Sequence, residues 1–169
     1  MNETKKLRVA LFFGGVSSEH EVSCVSASTW LRALAQAPCA DRYEVFPVGI
    51  TKQGRWLACS PTPEAMADGS WEKGADCTPC VLSPDRTDHG IWLLKDGKAE
   101  LVHIDICAPV MHGKNGEDGT IQGLFELARI PYVGCGVLGS AVCMDKAVAN
   151  TIMDAAGVPH CKWARAIRA

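Results

Sequence analysis

The sequence has no long apolar stretch and no strong excess of charge of either sign. Nothing in it approaches the roughly 18 consecutive apolar residues of a membrane span. The apolar run at residues 7–13 is too short for the core of a secretory signal, and no small-residue cleavage site follows it. The 17 basic and 19 acidic residues are interspersed and leave no basic face for nucleic acid. We therefore expect a cytoplasmic protein with neither a membrane nor a nucleic-acid partner.

A complete cysteine-based metal motif is also missing. Cys77 and Cys80 form a lone CxxC, without a second CxxC or a spaced pair of histidines. The pair could be a redox couple or half of a zinc site, but we favour two cysteines in a surface loop. Other cysteines, such as Cys107, lie in apolar runs and resemble small buried side chains in a reducing compartment. We assign no metal ligand.

What the sequence does contain is enough apolar residues for a folded core. Hydrophobic residues make up 47% and charged residues 21% of the 169 residues, which is close to the average of globular proteins. A chain of this length fits one domain, or one domain and a fragment of another.

The pattern of the first 50 residues predicts a strand, a helix and a second strand. Residues 7–13 form a short apolar run that Gly14 and Gly15 end, and residues 43–50 form another. Between them, Ser17 and Ser18 are candidate helix caps. The predicted helix ends near residue 38 and has apolar and small residues at spacings of three and four, namely Val22, Val25, Ser26, Trp30, Leu31 and Leu34. Such a unit favours parallel pairing of its two strands.

The later segments predict more of the same sheet. Residues 51–98 are broken by glycine and proline, and we interpret them as an addition at the sheet edge with candidate strands at 55–58, 91–94 and 99–103. Residues 104–111 and 131–133 predict further strands, and a helix covers 121–127. A single long helix is predicted over 136–156, closed by Gly157. The predicted fold class is α/β, a doubly wound parallel sheet.

Three glycine-containing loops follow predicted strands, at residues 14–19, 112–119 and 134–139. In open α/β sheets, ligands bind at the carboxyl ends of the strands. Glu19 could pair with a substrate ammonium, or it could be a first-turn residue that the helix dipole stabilises. His112 could touch substrate oxygens, or it could be held by the carboxylates of Glu117 and Asp118. The residues alone leave both choices open, with the second favoured for His112.

The third loop matches a dinucleotide-binding pattern only weakly. Gly134-Cys-Gly-Val-Leu-Gly139 fits GxGxxG, but no second strand ending in an acidic residue follows at the required distance. Lys146 lies in the middle of the predicted long helix, where a lysine is ordinarily a solvated surface residue.

Three segments together resemble the D-alanine-D-alanine ligase family and its relatives that make D-alanyl-D-lactate or D-alanyl-D-serine. Phe13-Gly-Gly-Val-Ser-Ser-Glu-His-Glu-Val-Ser23 is similar to the family's first motif. His112-Gly-Lys-Asn-Gly-Glu-Asp-Gly-Thr-Ile-Gln-Gly123 is similar to the second motif. Ile130-Pro-Tyr-Val-Gly-Cys-Gly-Val-Leu-Gly-Ser-Ala-Val-Cys-Met-Asp-Lys146 is similar to the third. Cys135 and Gly139 stand where serine and alanine are usual, and both are small.

The resemblance implies a Rossmann-like substrate-binding domain over residues 1–142, followed by the truncated start of an ATP-grasp domain over 143–169. It implies that Glu19 holds the ammonium of the first D-alanine, that His112 lies where charge develops, and that Lys146 reaches the ATP phosphates. The other substrate-binding residues that it implies are Gly14, Gly15, Ser18 and Glu117.

The resemblance also implies the reaction and the partners. The full enzyme would use ATP and Mg²⁺ to phosphorylate one D-alanine, and the amine of a second would attack the acyl phosphate to form a dipeptide for peptidoglycan. It would be a cytoplasmic homodimer. The family's metal ligands and later ATP-binding loops lie beyond the segments matched here, so we expect the 169-residue chain alone to be inactive and to bind no cofactor tightly.

Two other function classes stay open. One is a truncated binding or dimerisation module of the same fold, and the other is a dinucleotide-dependent oxidoreductase. The choice of second substrate among D-alanine, D-lactate and D-serine is not set by these residues.

Overall fold

The computed structural model describes residues 5–167. They form a seven-stranded sheet in the order β6-β5-β4-β3-β2-β1-β7 with six helices. The strands are β1 Leu7–Gly14, β2 Tyr43–Ile50, β3 Trp56–Ala58, β4 Thr78–Leu82, β5 Gly90–Lys95, β6 Lys98–His103 and β7 Ile106–Pro109. The helices are α1 His20–Leu34, α2 Cys39–Arg42, α3 Pro63–Ala67, α4 Thr120–Ala128, α5 Val137–Met144 and α6 Lys146–Ala155, with a 3₁₀ helix at Ser70–Lys73.

The parallel part of the sheet consists of β2, β1 and β7. Strand β1 pairs in parallel with β2 from Leu7↔Tyr43 to Gly14↔Ile50, and with β7 from Val9↔Ile106 to Phe12↔Pro109. Its side chains from position 9 to the strand end are buried, because both faces of the central strand are covered. The α/β class and the strand-helix-strand unit are confirmed.

Strands β3 to β6 add an antiparallel extension to the β2 edge. The predicted edge strands are confirmed within a residue or two, and Asp96 and Gly97 form the tight turn between β5 and β6. Strand β4 was not predicted, since Thr78-Pro-Cys-Val-Leu82 contains a proline and lacks an alternating pattern. Cys80 is therefore a buried strand residue, and the prediction of two loop cysteines is wrong for it.

Alternate side chains of β1 belong to two separate cores, one on each face of the sheet. Ala10 and Phe12 pack with residues of α4 such as Phe125. On the opposite face, Leu11 and Phe13 pack with α1 and with the segment around Trp71. Helices on both faces make the sheet doubly wound, as predicted, although only three of its strands are parallel.

The buried face of α1 differs from the predicted one. Val22 and Val25 are each 53% exposed. The buried residues of this helix are instead His20, Ser23, Cys24, Ala27 and Ser28. Small and polar side chains face the sheet because the helix lies close to β1, where hydroxyl groups can bond backbone atoms. Ser17 and Ser18 are not the N-cap either, since that position is Glu19 and carries no side-chain cap.

The prediction of one long helix over residues 136–156 is wrong, because this segment forms two helices, α5 and α6. Asp145 has an extended backbone (φ -82°, ψ 103°) that ends α5, and its carboxylate accepts hydrogen bonds from the amides of Ala147 and Val148 at the start of α6. The predicted strand at 131–133 is reduced to one bridge between Cys107 and Tyr132. Within residues 5–167, no helix has both the length and the apolar character to cross a membrane.

Candidate functional site

The end of β1 is tied to the end of β7 by Ser23. This buried hydroxyl accepts a hydrogen bond from the Gly14 amide (2.8 Å) and donates one to the Val110 carbonyl. The two neighbouring parallel strands thereby hold the first and second loops side by side. The sequence analysis did not single out Ser23. The feature that could have indicated its burial is the pair of small residues Ser23 and Cys24 in α1.

A second hydroxyl joins the two loops directly. Ser17 Oγ donates to the His112 carbonyl (2.9 Å) and accepts from the Glu19 amide (3.1 Å). Ser18, which was predicted to bind substrate, is exposed beside it. A hydrogen bond from Ser17 therefore joins the first loop to the second.

The Glu19 carboxylate lies over the backbone of Gly113. Gly113 has a left-handed φ of +70°, and a Cβ built there would collide with Oε2 of Glu19. The backbone angle favours glycine, and a side chain there would also push the Glu19 carboxylate aside. Among residues 5–167, the Glu19 carboxylate takes part in no side-chain hydrogen bond or ion pair. It is an exposed anion placed against the second loop.

His112 is held by α1 rather than by acidic neighbours. Its Nε2 and the Ser26 hydroxyl share a hydrogen bond of 3.1 Å. Glu117 and Asp118 do not bind it, contrary to the alternative that the sequence favoured. The half-buried ring is thus oriented by a side chain that sequence reasoning had assigned to the apolar face of α1.

The carboxylates of the second loop bind its own backbone. Glu117 Oε2 accepts from the Gly113 amide (2.7 Å), and Asp118 accepts from the amides of Asn115 (2.9 Å) and Thr120 (3.0 Å). Burial works to raise the pKa of Asp118, but these hydrogen bonds outweigh it and the pKa is lowered. Glu117, predicted to contact substrate, already has a structural partner.

Gln122 is a further buried polar residue that the sequence analysis missed. Its Nε2 donates to the Gly116 carbonyl (2.8 Å), while its Oε1 finds no partner among the described residues. The signal was a glutamine between Ile121 and Phe125 on the buried face of α4. Its hydrogen bond to Gly116 attaches the second loop to helix α4.

A cleft of about 460 Å³ joins the second and third motifs. His112, Glu117 and Gln122 line it on one side, and Cys135, Ser140 and Lys146 are among the residues on the other. A smaller apolar cavity of about 370 Å³ lies beside Gly15. The structure therefore brings His112 and Lys146 to one cleft, and Glu19 to the neighbouring edge of the second loop.

Lys146 is the exposed first residue of α6, not a mid-helix residue. Its Nζ donates to the Cys143 carbonyl (2.7 Å), a contact that the side chain could exchange for an anion. The GxGxxG segment is exposed from Gly134 to Gly139 and follows a single bridge rather than a full strand. This context differs from the strand-to-helix turn of a dinucleotide site.

The family model described as the D-ala D-ala ligase N-terminus matches residues 8–135. The chain belongs to the D-alanine-D-alanine ligase family. All three predicted motifs begin within or at the edge of this match, and the dinucleotide alternative is set aside.

Relatives and solved structures extend the match. The chain is 49% identical to a D-alanine--D-alanine ligase of Caldicellulosiruptor bescii over 92% of its own length and 41% of that protein. It is 46% identical to a putative D-alanine--D-lactate ligase of Streptomyces coelicolor, over 90% of this chain and 41% of the relative. The crystal structure of the VanG D-Ala:D-Ser ligase from Enterococcus faecalis superposes with a TM-score of 0.82 at 38% identity, over 90% of this chain and 43% of that one. The chain thus spans about two fifths of the length of these family members.

Proposed function

We propose that this chain is the N-terminal, substrate-binding part of an ATP-dependent D-alanine-D-alanine ligase that supplies the dipeptide for peptidoglycan. The observation that carries the proposal is the meeting of the first two motifs. There the exposed Glu19 carboxylate lies against Gly113, and Ser26 orients the ring of His112, the residue before Gly113.

Glu19 is suited to hold the ammonium of the first D-alanine. An amine is best held by a carboxylate, since hydrogen bonds between charged partners are the strong ones. The neighbouring Glu21 is less suited, because Lys52 already forms an ion pair with it. Gly14, Gly15 and Ser18 would line the same edge, and Glu117 would act chiefly by holding the second loop.

His112 is suited to face the oxygens of the substrate carboxylate. The Ser26 hydroxyl and the backbone contact from Ser17 fix its position before substrate arrives. Such preorganisation lowers the barrier because no reorientation is needed as charge develops.

Lys146 fits a role at the ATP phosphates. It is a cation on the wall of the cleft that His112 also lines, and it holds only one backbone carbonyl. ATP would supply the phosphoryl group that activates the first D-alanine. We place the Mg²⁺ ligands in later segments of the full-length ligase, and residues 143–169 at the start of its ATP-binding domain; residues 168–169 lie outside the described part of the chain. Residues 1–142 would be the substrate domain of a cytoplasmic homodimer, although residues 1–4 also lie outside the description.

The test is D-alanine-dependent release of ADP by the full-length protein and its Glu19→Gln variant. Loss of the charged partner should raise the KM for the first D-alanine by about 10- to 100-fold, because a hydrogen bond to a charged group contributes about 1.5–3 kcal/mol. Glu21→Gln is the matched control and should leave that KM unchanged. An unchanged KM in Glu19→Gln would reject the assigned role, and absence of any D-alanine-dependent ADP release would reject the ligase.

A non-catalytic binding or dimerisation module is the second candidate. Its support is that Glu19 and His112, the residues proposed to bind D-alanine, both lie within this chain and could bind it without turnover. Calorimetry that detects D-alanine binding to the 169-residue chain, without ADP release under the same conditions, would support it. ADP release by that chain would exclude it.

A further inference from the structure

Cys59 directly follows strand β3, and Cys77 directly precedes its neighbour β4. These strands are antiparallel, with Leu57 opposite Pro79 and Ala58 opposite Thr78. Extending this register by one residue places Cys59 opposite Cys77. The chains remain adjacent one residue further on, where the Ser60 amide donates to the Asp76 carboxylate at 2.8 Å.

The position of this pair in the ladder favours close side chains. The Cys59 amide donates to the Pro47 carbonyl (3.2 Å) on β2, so the polar backbone groups of Cys59 turn away from β4. Cys77 likewise bonds elsewhere, to the Gly74 carbonyl at 3.3 Å. Opposite residues at such a non-hydrogen-bonded site have Cα atoms about 4.5 Å apart. Disulfides need a Cα separation of roughly 4.4–6.8 Å.

Both sulfur-bearing side chains lie on the same face of the sheet. Cys59, 6% exposed, belongs to the core on the α1 side, and Cys77 packs against that core. Cys80, three residues after Cys77, belongs to the core on the opposite face. The CxxC spacing therefore separates Cys77 from Cys80, because alternate strand residues point to opposite faces.

We propose that Cys59 and Cys77 are a site of reversible disulfide formation, with a small-molecule disulfide as oxidant. Both are free thiols in the structure. Cys77 is the more exposed of the two, so it reacts first.

The exchange is balanced in two steps. The Cys77 thiolate attacks one sulfur of the small disulfide, which forms a mixed disulfide and releases one small thiolate. Cys59 then gives its proton to solvent and attacks Cys77 Sγ, and the second small thiolate leaves. Two cysteine thiols are oxidised and one small disulfide is reduced to two thiols.

The surroundings make this a slow reaction that quickens with pH. Burial raises the pKa of the Cys59 thiol, and the Cys77 sulfur and the Asp76 carboxylate raise it further. Burial and the Asp76 charge also raise the pKa of Cys77. A smaller thiolate fraction at neutral pH slows attack, and the fraction grows as pH rises.

The link would fasten the segment between the two cysteines to the sheet. Cys77 Sγ already donates to the Trp71 carbonyl (3.1 Å), and the Trp71 ring packs edge-on against Phe13 with centroids 4.8 Å apart. The next residue, Glu72, approaches the buried His20 (3.8 Å), which bonds the Gly15 carbonyl. The crosslink would thus stiffen the support beneath the first loop of the candidate site.

The experiment is oxidation of the purified protein with oxidised glutathione, alkylation of the remaining thiols, and tryptic peptide mapping by mass spectrometry. Cleavage after Arg55, Lys73 and Arg86 separates Cys59, in peptide 56–73, from Cys77 and Cys80, both in peptide 74–86. The expected product is a crosslink between the two peptides that fragmentation assigns to Cys77. Its formation should be faster at pH 9 than at pH 7, and it should raise the Tm by about 5–10 °C in a manner that a reductant reverses.

Two variants make the assignment specific. Cys80→Ala should retain the crosslink, and Cys77→Ser should lose it together with the oxidation-dependent rise in Tm. The peptide map of the wild-type protein tests the crosslink by itself, even if one of the variants does not fold. A bond within peptide 74–86, or a Cys77 that stops at the glutathione adduct while Cys59 remains open to alkylation in denaturant, would overturn the proposal.

Discussion

The sheet body and the two C-terminal helices are packed in different ways. Around β1, both faces of the sheet are covered by side chains with almost no exposure. Within the described part of the chain, Ser140 is the only residue of α5 and α6 that is buried. The large apolar residues exposed in and after these helices are Val137, Leu138, Met144, Val148, Ile152, Val158, Trp163 and Ile167.

This difference teaches that the amphipathic pattern alone does not identify a core. Helix α4 and helix α6 both have an apolar stripe, but only α4 has a sheet to pack against. The uncovered stripe agrees with the proposal that residues 143–169 belong to a second domain. Three tests measure how far the two regions differ.

The largest expected effect is that of Phe125→Ala in the sheet body. Phe125 is fully buried, with its ring centroid 5.2 Å from that of Phe12 and 5.5 Å from that of Tyr132. The cavity should lower the free energy of unfolding by about 3–5 kcal/mol. Leu138→Ala is the matched truncation in α5, and since Leu138 is 78% exposed it should cost less than about 0.5 kcal/mol. Urea unfolding of both variants measures this, and similar losses would contradict the comparison.

A pair of glycine-to-alanine changes should give effects of opposite sign. A Cβ at Gly49 would overlap the ring of Trp71, so Gly49→Ala should destabilise the body by about 1–3 kcal/mol. At Gly139 the new Cβ would meet only Cys135 Cβ at 3.8 Å. There alanine should stabilise α5 by up to about 1 kcal/mol, because glycine is a poor helix former. Thermal unfolding compares the two, and a stabilised Gly49→Ala would show that Trp71 is free to move.

The smallest expected effect is that of Asp145→Ala at the junction of α5 and α6. Loss of the cap should cost about 1 kcal/mol, confined to α6. Amide hydrogen exchange should report faster exchange in residues 147–155 and none of the change in β1. Asp145→Asn keeps an acceptor and should retain most of the protection. Faster exchange in β1 would show that the two regions unfold together.

Most of the parallel sheet could be predicted because its strands are continuous apolar runs that end in glycine or polar loops. The antiparallel edge was predicted where turn residues mark it, as at Asp96-Gly97, but β4 was missed. The face of α1 was mispredicted because its contacts with β1 are made by Ser23, Cys24 and Ala27, while two valines point outward. The break at Asp145 was missed because a cap within an apolar pattern gives no change of periodicity.

The location of the candidate site followed from topology, whereas its internal contacts did not. Loops after neighbouring parallel strands must meet, so Glu19 and His112 were expected at one edge. Their supports, Ser17 and Ser26, depend on how closely α1 approaches the second loop. Such distances are set by three-dimensional packing, which no local pattern in the sequence records.

Because Glu19 lies so close to Gly113, the effects of mutations at these two positions, which belong to different motifs, should depend on each other. A side chain at position 113 would push the Glu19 carboxylate aside, so a substitution there would change the placement of Glu19 without replacing it. Once Glu19 has been replaced by a smaller residue, the same change at 113 should cost less. The order in which two such mutations arise would therefore decide whether the second one is tolerated.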